Sequence, residues 1–319
     1  MSASPSPAQS GAEAGIEFLR RMRRELEGGL DPVAAAERAA PGLPEGLRGA
    51  VDTLARRARG DYGQDEWGFD RGFAEGVLPL FDFLYERWWR VAAIGVENVP
   101  AEGRALLVSN HAGALFPFDA AMISRAILGE HPSPRWSRFM VLDWAFMLPF
   151  MSAFMRRVGG VPAKPENAAR LLEQDELVMA FPEGVKGTGK PFSERYRLQR
   201  FGRGGFVEVA LRARSPIVPI AVVGSEEIYP MIGESRALAR MVGAPFVPIT
   251  PTFPWLGPLG LVPLPARWRI EFCEPIDLSG YGPEAAEDRR IVFEISERVR
   301  ETIQQKLYEN LVERGSAFL

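Results

Sequence analysis

Between residues 105 and 223 the chain repeats one pattern: a short, wholly apolar run, a turn, then a helical stretch. The runs are ALLV (105–108), FMVL (139–142), LVMAF (177–181) and IVPIAVV (217–223). A strand that is apolar at every position is covered on both faces. Helical patterns fall between the runs, over 117–130, 144–156, 165–174 and 203–214. Strand and helix in alternation call for crossover connections, hence parallel strands. The expected fold class is α/β, a mostly parallel central sheet flanked by helices, with an N-terminal helical extension.

Three regions are expected. Residues 1–15 are Ser, Pro, Ala and Gly and read as a disordered tail. Residues 16–90 read as an N-terminal helical region. In it Asp31-Pro32 supplies an N-cap and a first-turn proline, and 61–70 (DYGQDEWGFD) reads as a linker before a helix over 71–91. Residues 91–319 form the α/β domain. It closes on a helix over 284–314 with Ile295, Val299, Ile303, Leu307 and Leu311 on one stripe.

Composition narrows the chemistry. Acidic side chains number 41 and basic ones 38, so binding nucleic acid through bulk positive charge is not expected. One cysteine, Cys273, excludes an internal disulfide and points to a reducing compartment. It is placed as a structural residue in a late strand. Two histidines and one cysteine are too few for a zinc site of the usual kind, and neither a metal nor a cofactor is expected. The sequence holds no secretory signal and no apolar run long enough to span a bilayer. The segment 144–155 (WAFMLPFMSAFM), followed by Arg156 and Arg157, fits either a buried helix or one lying in a membrane interface.

Imidazole chemistry rests on His111 or His131. Asn110 and His111 directly follow the 105–108 run, at the carboxyl end where open α/β sheets place ligands. Gly113 lets backbone approach a substrate, and Asp119 sits in the first turn of the next helix. A histidine with a nearby carboxylate suits a general base, the carboxylate fixing the tautomer. The alternative is a histidine satisfied by loop backbone, with Asp119 serving only the helix dipole. His131 lies in a Pro-bounded connection and is expected at the surface.

A second signal, FPEGVKG (181–187), also follows an apolar run. Glu183, Gly184 and Lys186 there suit a polyol or a phosphate. Arg195, Arg197, Arg200 and Arg203 then crowd one stretch, either as a solvated basic face or as contacts to an anionic lipid or phosphorylated donor. Residues 184–190 spell GVKGTGK, a P-loop up to its last position, which is Pro191. Proline brings neither the hydroxyl for magnesium nor an N–H for phosphate. No G-x-S-x-G elbow occurs, so a serine hydrolase is not expected.

Together these blocks resemble the glycerolipid acyltransferase family, which includes the 1-acylglycerol-3-phosphate acyltransferases. Asn110-His111 matches the start of that family's N-H-x4-D block. Here the acid is Asp119, a His-x7-Asp spacing similar to the monoacylglycerol and diacylglycerol acyltransferase branch. The stretch 157–163 stands in place of the second block, 181–184 (FPEG) matches the third, with Lys186 where arginine is frequent, and 216–220 corresponds to the fourth. The resemblance implies His111 and Asp119 as the catalytic pair, with Asn110, Gly113, Glu183, Gly184, Lys186 and Arg195 at the substrate. It implies an acyl-CoA or acyl carrier protein donor, a glycerolipid acceptor and peripheral contact with the cytoplasmic face of a membrane. For that contact, 144–157 and the loop 246–265 are the candidates. The loop reads first as a connection buried over the sheet and second as a docking surface. A non-catalytic lipid-binding protein on the same fold is the alternative.

Overall fold

The computed structural model describes residues 7–44, 47–49, 51–52, 55, 63–113, 116, 118–146 and 151–318. The chain forms two compact units, Met1–Glu75 and Gly76–Leu319. The break expected at 90/91 therefore falls earlier. The aromatic segment before residue 90 belongs to the larger unit, where Leu84, Tyr85 and Trp89 join its core.

In the smaller unit a helix spans Pro7–Glu27 and a second spans Pro32–Ala39. Residues 7–15, expected to be unstructured, are thus helical. Pro7 stands at the first helical position, where its missing N–H costs nothing, and Ala8, Ala12 and Ala14 are strong helix formers. Asp31 caps the second helix as expected, its Oδ1 accepting from the Val33 and Ala34 N–H groups at 3.0 and 3.1 Å.

The larger unit is built on a seven-stranded sheet. Its strands are β1 (Ala92–Ile94), β2 (Ala105–Ser109), β3 (Ser137–Val141), β4 (Gly160–Pro162), β5 (Leu177–Ala180), β6 (Ile217–Val223) and, beyond a small separate pair, β9 (Arg269–Phe272). That pair is β7 (Gly233–Glu234) with β8 (Pro248–Ile249). The order across the sheet is β1-β9-β6-β2-β5-β3-β4, and only the β6–β9 pairing is antiparallel. All four apolar runs are strands. β2 and β6 are buried at every position, as the lack of polar alternation requires. β9 alternates instead: Ile270 and Phe272 enter the core, while Arg269 and Glu271 reach Asn310 and Lys306 on the closing helix Arg289–Arg314. Ile295, Val299, Ile303 and Leu307 of that helix are buried as one stripe.

Helices follow the strands at Phe118–Glu130, Pro165–Glu173 and Gly205–Ala213, as expected. The helix expected over 144–156 appears as Asp143–Phe146 and Met151–Arg157, the residues between lying outside the described set. The stretch 71–91 is helical over Arg71–Phe83 and then widens into one π-turn, Leu84–Trp88. Trp89 beyond it stacks on Trp268 with ring centres 4.8 Å apart and meets Phe118 edge-on at 5.0 Å. This aromatic contact anchors the start of the helix that carries Asp119.

Candidate active site

His111 stands just past the carboxyl end of β2. Its Nδ1 is 2.7 Å from Asp119 Oδ2, and the imidazole retains 17% exposure while the Asp119 side chain is fully buried. Asp119 also accepts the Ala112 N–H at Oδ2 (3.0 Å) and the Ala120 N–H at Oδ1 (2.9 Å). An acceptor carboxylate beside Nδ1 selects the tautomer with its proton there and leaves Nε2 as a base. Phe181 covers one face of the ring at 4.3 Å. The His/Asp pair read from the sequence is thus assembled across seven intervening residues.

The imidazole borders a cavity of about 340 Å³ walled by Phe139, Met140, Val141, Trp144, Met151 and Met155, among others. The segment 144–155, read as either buried helix or membrane interface, supplies a wall of this cavity. Gly113, Gly184 and Arg203 also border it. Arg203 is exposed and forms no ion pair among the described residues.

Four other predicted contacts fall elsewhere. Asn110 is fully buried and bridges to β6, donating to Val222 O at 2.9 Å and accepting Val222 N–H at 2.8 Å. Its amide imitates a strand's own donor and acceptor where β2 ends, so it fixes the sheet rather than the substrate. Glu183 is also sealed off. Its Oε1 accepts the His111 N–H at 3.0 Å and its Oε2 the Gln199 N–H at 2.6 Å. It is a strut beneath the histidine. Lys186 is exposed outside the cavity wall, and Arg195 lies over the Phe192 ring at 4.4 Å.

Two further residues of the strut, Gly187 and Lys190, lie in the 181–187 and 184–190 motifs without a structural role being expected of them. Gly187 packs so closely that a Cβ there would lie 2.9 Å from His111 O and 3.1 Å from His111 Cβ. Only glycine fits. Lys190, the would-be P-loop lysine, is buried between carboxylates, 3.5 Å from Glu183 and 3.1 Å from Glu226. A lysine so engaged is not a phosphate ligand.

Burial pushes the Glu226 carboxyl up from its ordinary 4.5 to about 7, against the pull of Lys190 and the Tyr196 N–H. The folded state therefore favours the proton. That contribution to stability is present in full below about pH 4.5 and is lost as pH rises through about 7. Melting curves of wild type and Glu226→Gln between pH 4.5 and 8.5 should show wild type losing several degrees relative to the variant. A pH-independent gap would show that Glu226 titrates normally.

His131 is buried rather than at the surface, with Nε2 bonded to Val99 O at 2.8 Å and Nδ1 2.9 Å from Ser133 N. It pins a connection and stays clear of the cavity. Cys273 follows β9 directly and is buried, its thiol pushed up to about 12 mainly by burial.

Residues 90–223, the span that holds this pair and cavity, match the Acyltransferase family. An uncharacterized protein of Mycobacterium tuberculosis is 46% identical over 310 residues, 96% of this chain and 86% of its own. The chain belongs to the acyltransferase family. Another similar protein is the bovine "DGAT1/2-independent enzyme synthesizing storage lipids", 26% identical over 196 residues, 60% of this acyltransferase and 56% of the bovine protein. Among solved structures, the 1-acyl-sn-glycerophosphate (LPA) acyltransferase PlsC of Thermotoga maritima is similar, with a TM-score of 0.47 and 20% identity over 74% of this chain and 81% of its own. No described helix is long and apolar enough to cross a membrane.

Proposed function

We propose that this acyltransferase moves a fatty acyl group from an acyl thioester, acyl-CoA or acyl carrier protein, to a hydroxyl of a glycerolipid such as lysophosphatidic acid. The observation that carries the reading is His111, held by buried Asp119 at the edge of an apolar cavity. Nε2 takes the proton from the acceptor hydroxyl as its oxygen attacks the thioester carbonyl. The carbon–sulfur bond then breaks, and the imidazolium, stabilised by Asp119, returns the proton to the departing thiolate. The hydrocarbon chain lies along the wall of Met, Phe, Val and Trp side chains, where its burial is favourable. Arg203 and Lys164, the exposed cations that border the cavity, meet a phosphate on either substrate. Because the acceptor is a lipid, the protein works as a peripheral enzyme on the cytoplasmic face of a membrane.

A neutral glyceride is the second reading, favoured by the His-x7-Asp spacing and by the likeness to an enzyme named for synthesizing storage lipids. Purified protein is supplied with palmitoyl-CoA or palmitoyl acyl carrier protein and, in turn, lysophosphatidic acid, a monoacylglycerol and a diacylglycerol, and new ester is measured. Turnover should be greatest with lysophosphatidic acid. Preference for a neutral acceptor moves the assignment to the second reading, and no ester with any pairing overturns both.

A further inference from the structure

The segment 246–265, FVPITPTFPWLGPLGLVPLP, contains no ionisable side chain over its whole length. It divides into a rooted base and an exposed tip. At the base Phe246 and Val247 are buried, whereas at the tip Trp255 is 71% and Leu259 72% exposed, with Leu256 and Val262 more than half exposed. Large apolar groups gathered on one exposed loop mark an interaction surface.

The backbone of the tip is prepared to leave water. The N–H groups of Leu256, Gly257, Leu259 and Val262 donate to the carbonyls of Thr252, Pro254, Leu256 and Leu259 within the loop. Pro254, Pro258 and Pro263 have no N–H to satisfy. Amides already paired within the loop lose less on leaving water than unpaired ones would. It is also held in place: Trp88 Nε1 donates to Pro263 O at 3.0 Å and Trp89 Nε1 to Leu264 O at 3.1 Å.

Trp88 extends the surface. Phe83, half exposed, lies 6.2 Å from its ring, and exposed Leu80 is one helical turn earlier. Charge then selects the occupant. Of the acids on this side, Asp82 and Glu86 are both paired with Arg125, and Glu130 accepts the Tyr85 hydroxyl. Arg87 and Arg90 are exposed and form no ion pair among the described residues. Apolar side chains bordered by uncompensated arginines complement an anionic lipid surface. A chain of packed side chains also links this surface to the active site. Phe116 borders the cavity and lies 5.8 Å from Phe118, which faces Tyr229, and the Tyr229 hydroxyl donates to Leu261 O in the loop.

We propose that the 253–262 tip, with Leu80 and Phe83 beside it and Arg87 and Arg90 at its border, inserts into the interface of an anionic phospholipid bilayer. The inference rests on the lipid-acyl-transfer reading for its purpose, but its test is independent of turnover. Full-length protein is floated with vesicles of phosphatidylcholine alone or mixed with phosphatidylglycerol. Wild type should bind the mixed vesicles. Trp255→Ser with Leu259→Ser should lower the partition coefficient by more than roughly tenfold, as the loss of two exposed apolar anchors requires. Arg87→Gln with Arg90→Gln should weaken binding to mixed vesicles and flatten its salt dependence, leaving phosphatidylcholine binding unchanged. A second apolar pair, Leu80→Ser with Phe83→Ser, guards against a local folding defect at the loop, and melting temperature checks each variant.

Wild-type protein that does not bind vesicles, or apolar variants that bind as wild type does, overturns the proposal. So does self-association in sedimentation that the same substitutions abolish without any vesicle binding. Vesicle binding lost in the variants while no acyl acceptor is ever turned over supports docking and overturns only the catalytic reading.

Discussion

His111→Ala is expected to lower kcat/KM for acyl transfer by roughly 10²–10⁴-fold, the contribution of a positioned general base, while leaving the fold intact. Both halves follow from the geometry. Removing the imidazole removes the base at the cavity edge. It does not strand the buried Asp119, because that carboxylate keeps the Ala112 and Ala120 N–H groups as donors. No uncompensated charge is created, so the melting temperature should move by only a few degrees, which reflects the lost packing against Phe181. Ester formation and thermal melting are measured on the same preparation. Transfer retained in a folded variant would sink the assignment of His111.

Glu183→Ala should do the reverse damage and fail mainly through structure. The side chain is wholly buried and serves three donors: the backbone N–H groups of His111 and Gln199 and the ammonium of Lys190. Truncation leaves the two amides unpaired and Lys190 with Glu226 as its remaining carboxylate partner. Breaking a buried charged cluster from one side costs about 3–5 kcal/mol, which for a domain of this size is a fall in melting temperature of roughly 10 °C. Activity falls as well, because the peptide that carries His111 loses its anchor. Glu183→Gln keeps an acceptor oxygen and should lie between. A variant that melts as wild type does while its acceptor KM rises would show that Glu183 touches substrate instead.

The difference between those two residues shows what could be read in advance. His111 and Asp119 were legible because each sits at a predicted boundary, one ending a strand and the other starting a helix. A short loop between such points brings them together whatever the remaining chain does. Glu183 is expected from its motif at the substrate, and in the fold it accepts from two backbone amides. A carboxylate after a strand can face outward to a ligand or inward to amides, and the choice depends on where 111 and 199 lie, 72 and 16 residues away. Asn110 behaves in the same way, its partner being Val222 at a separation of 112 residues. His131 looked solvated because its neighbours are prolines and a serine, and its burial is imposed by Val99. Gly187 is part of the 181–187 motif, but the need for a missing Cβ there exists only once His111 is packed above it.

The local pattern therefore determined a great deal. Uninterrupted apolar runs demanded strands covered on both faces, and helices between them demanded parallel connections. The class of fold and the edge of the sheet on which a site must lie follow from short-range hydrophobicity and sterics. The tertiary structure alone decided which polar side chains of the motif face the cavity and which are consumed in holding it. That choice is made by burial, because an unpaired polar group out of water is costly and each takes whatever partner the packed chain places beside it.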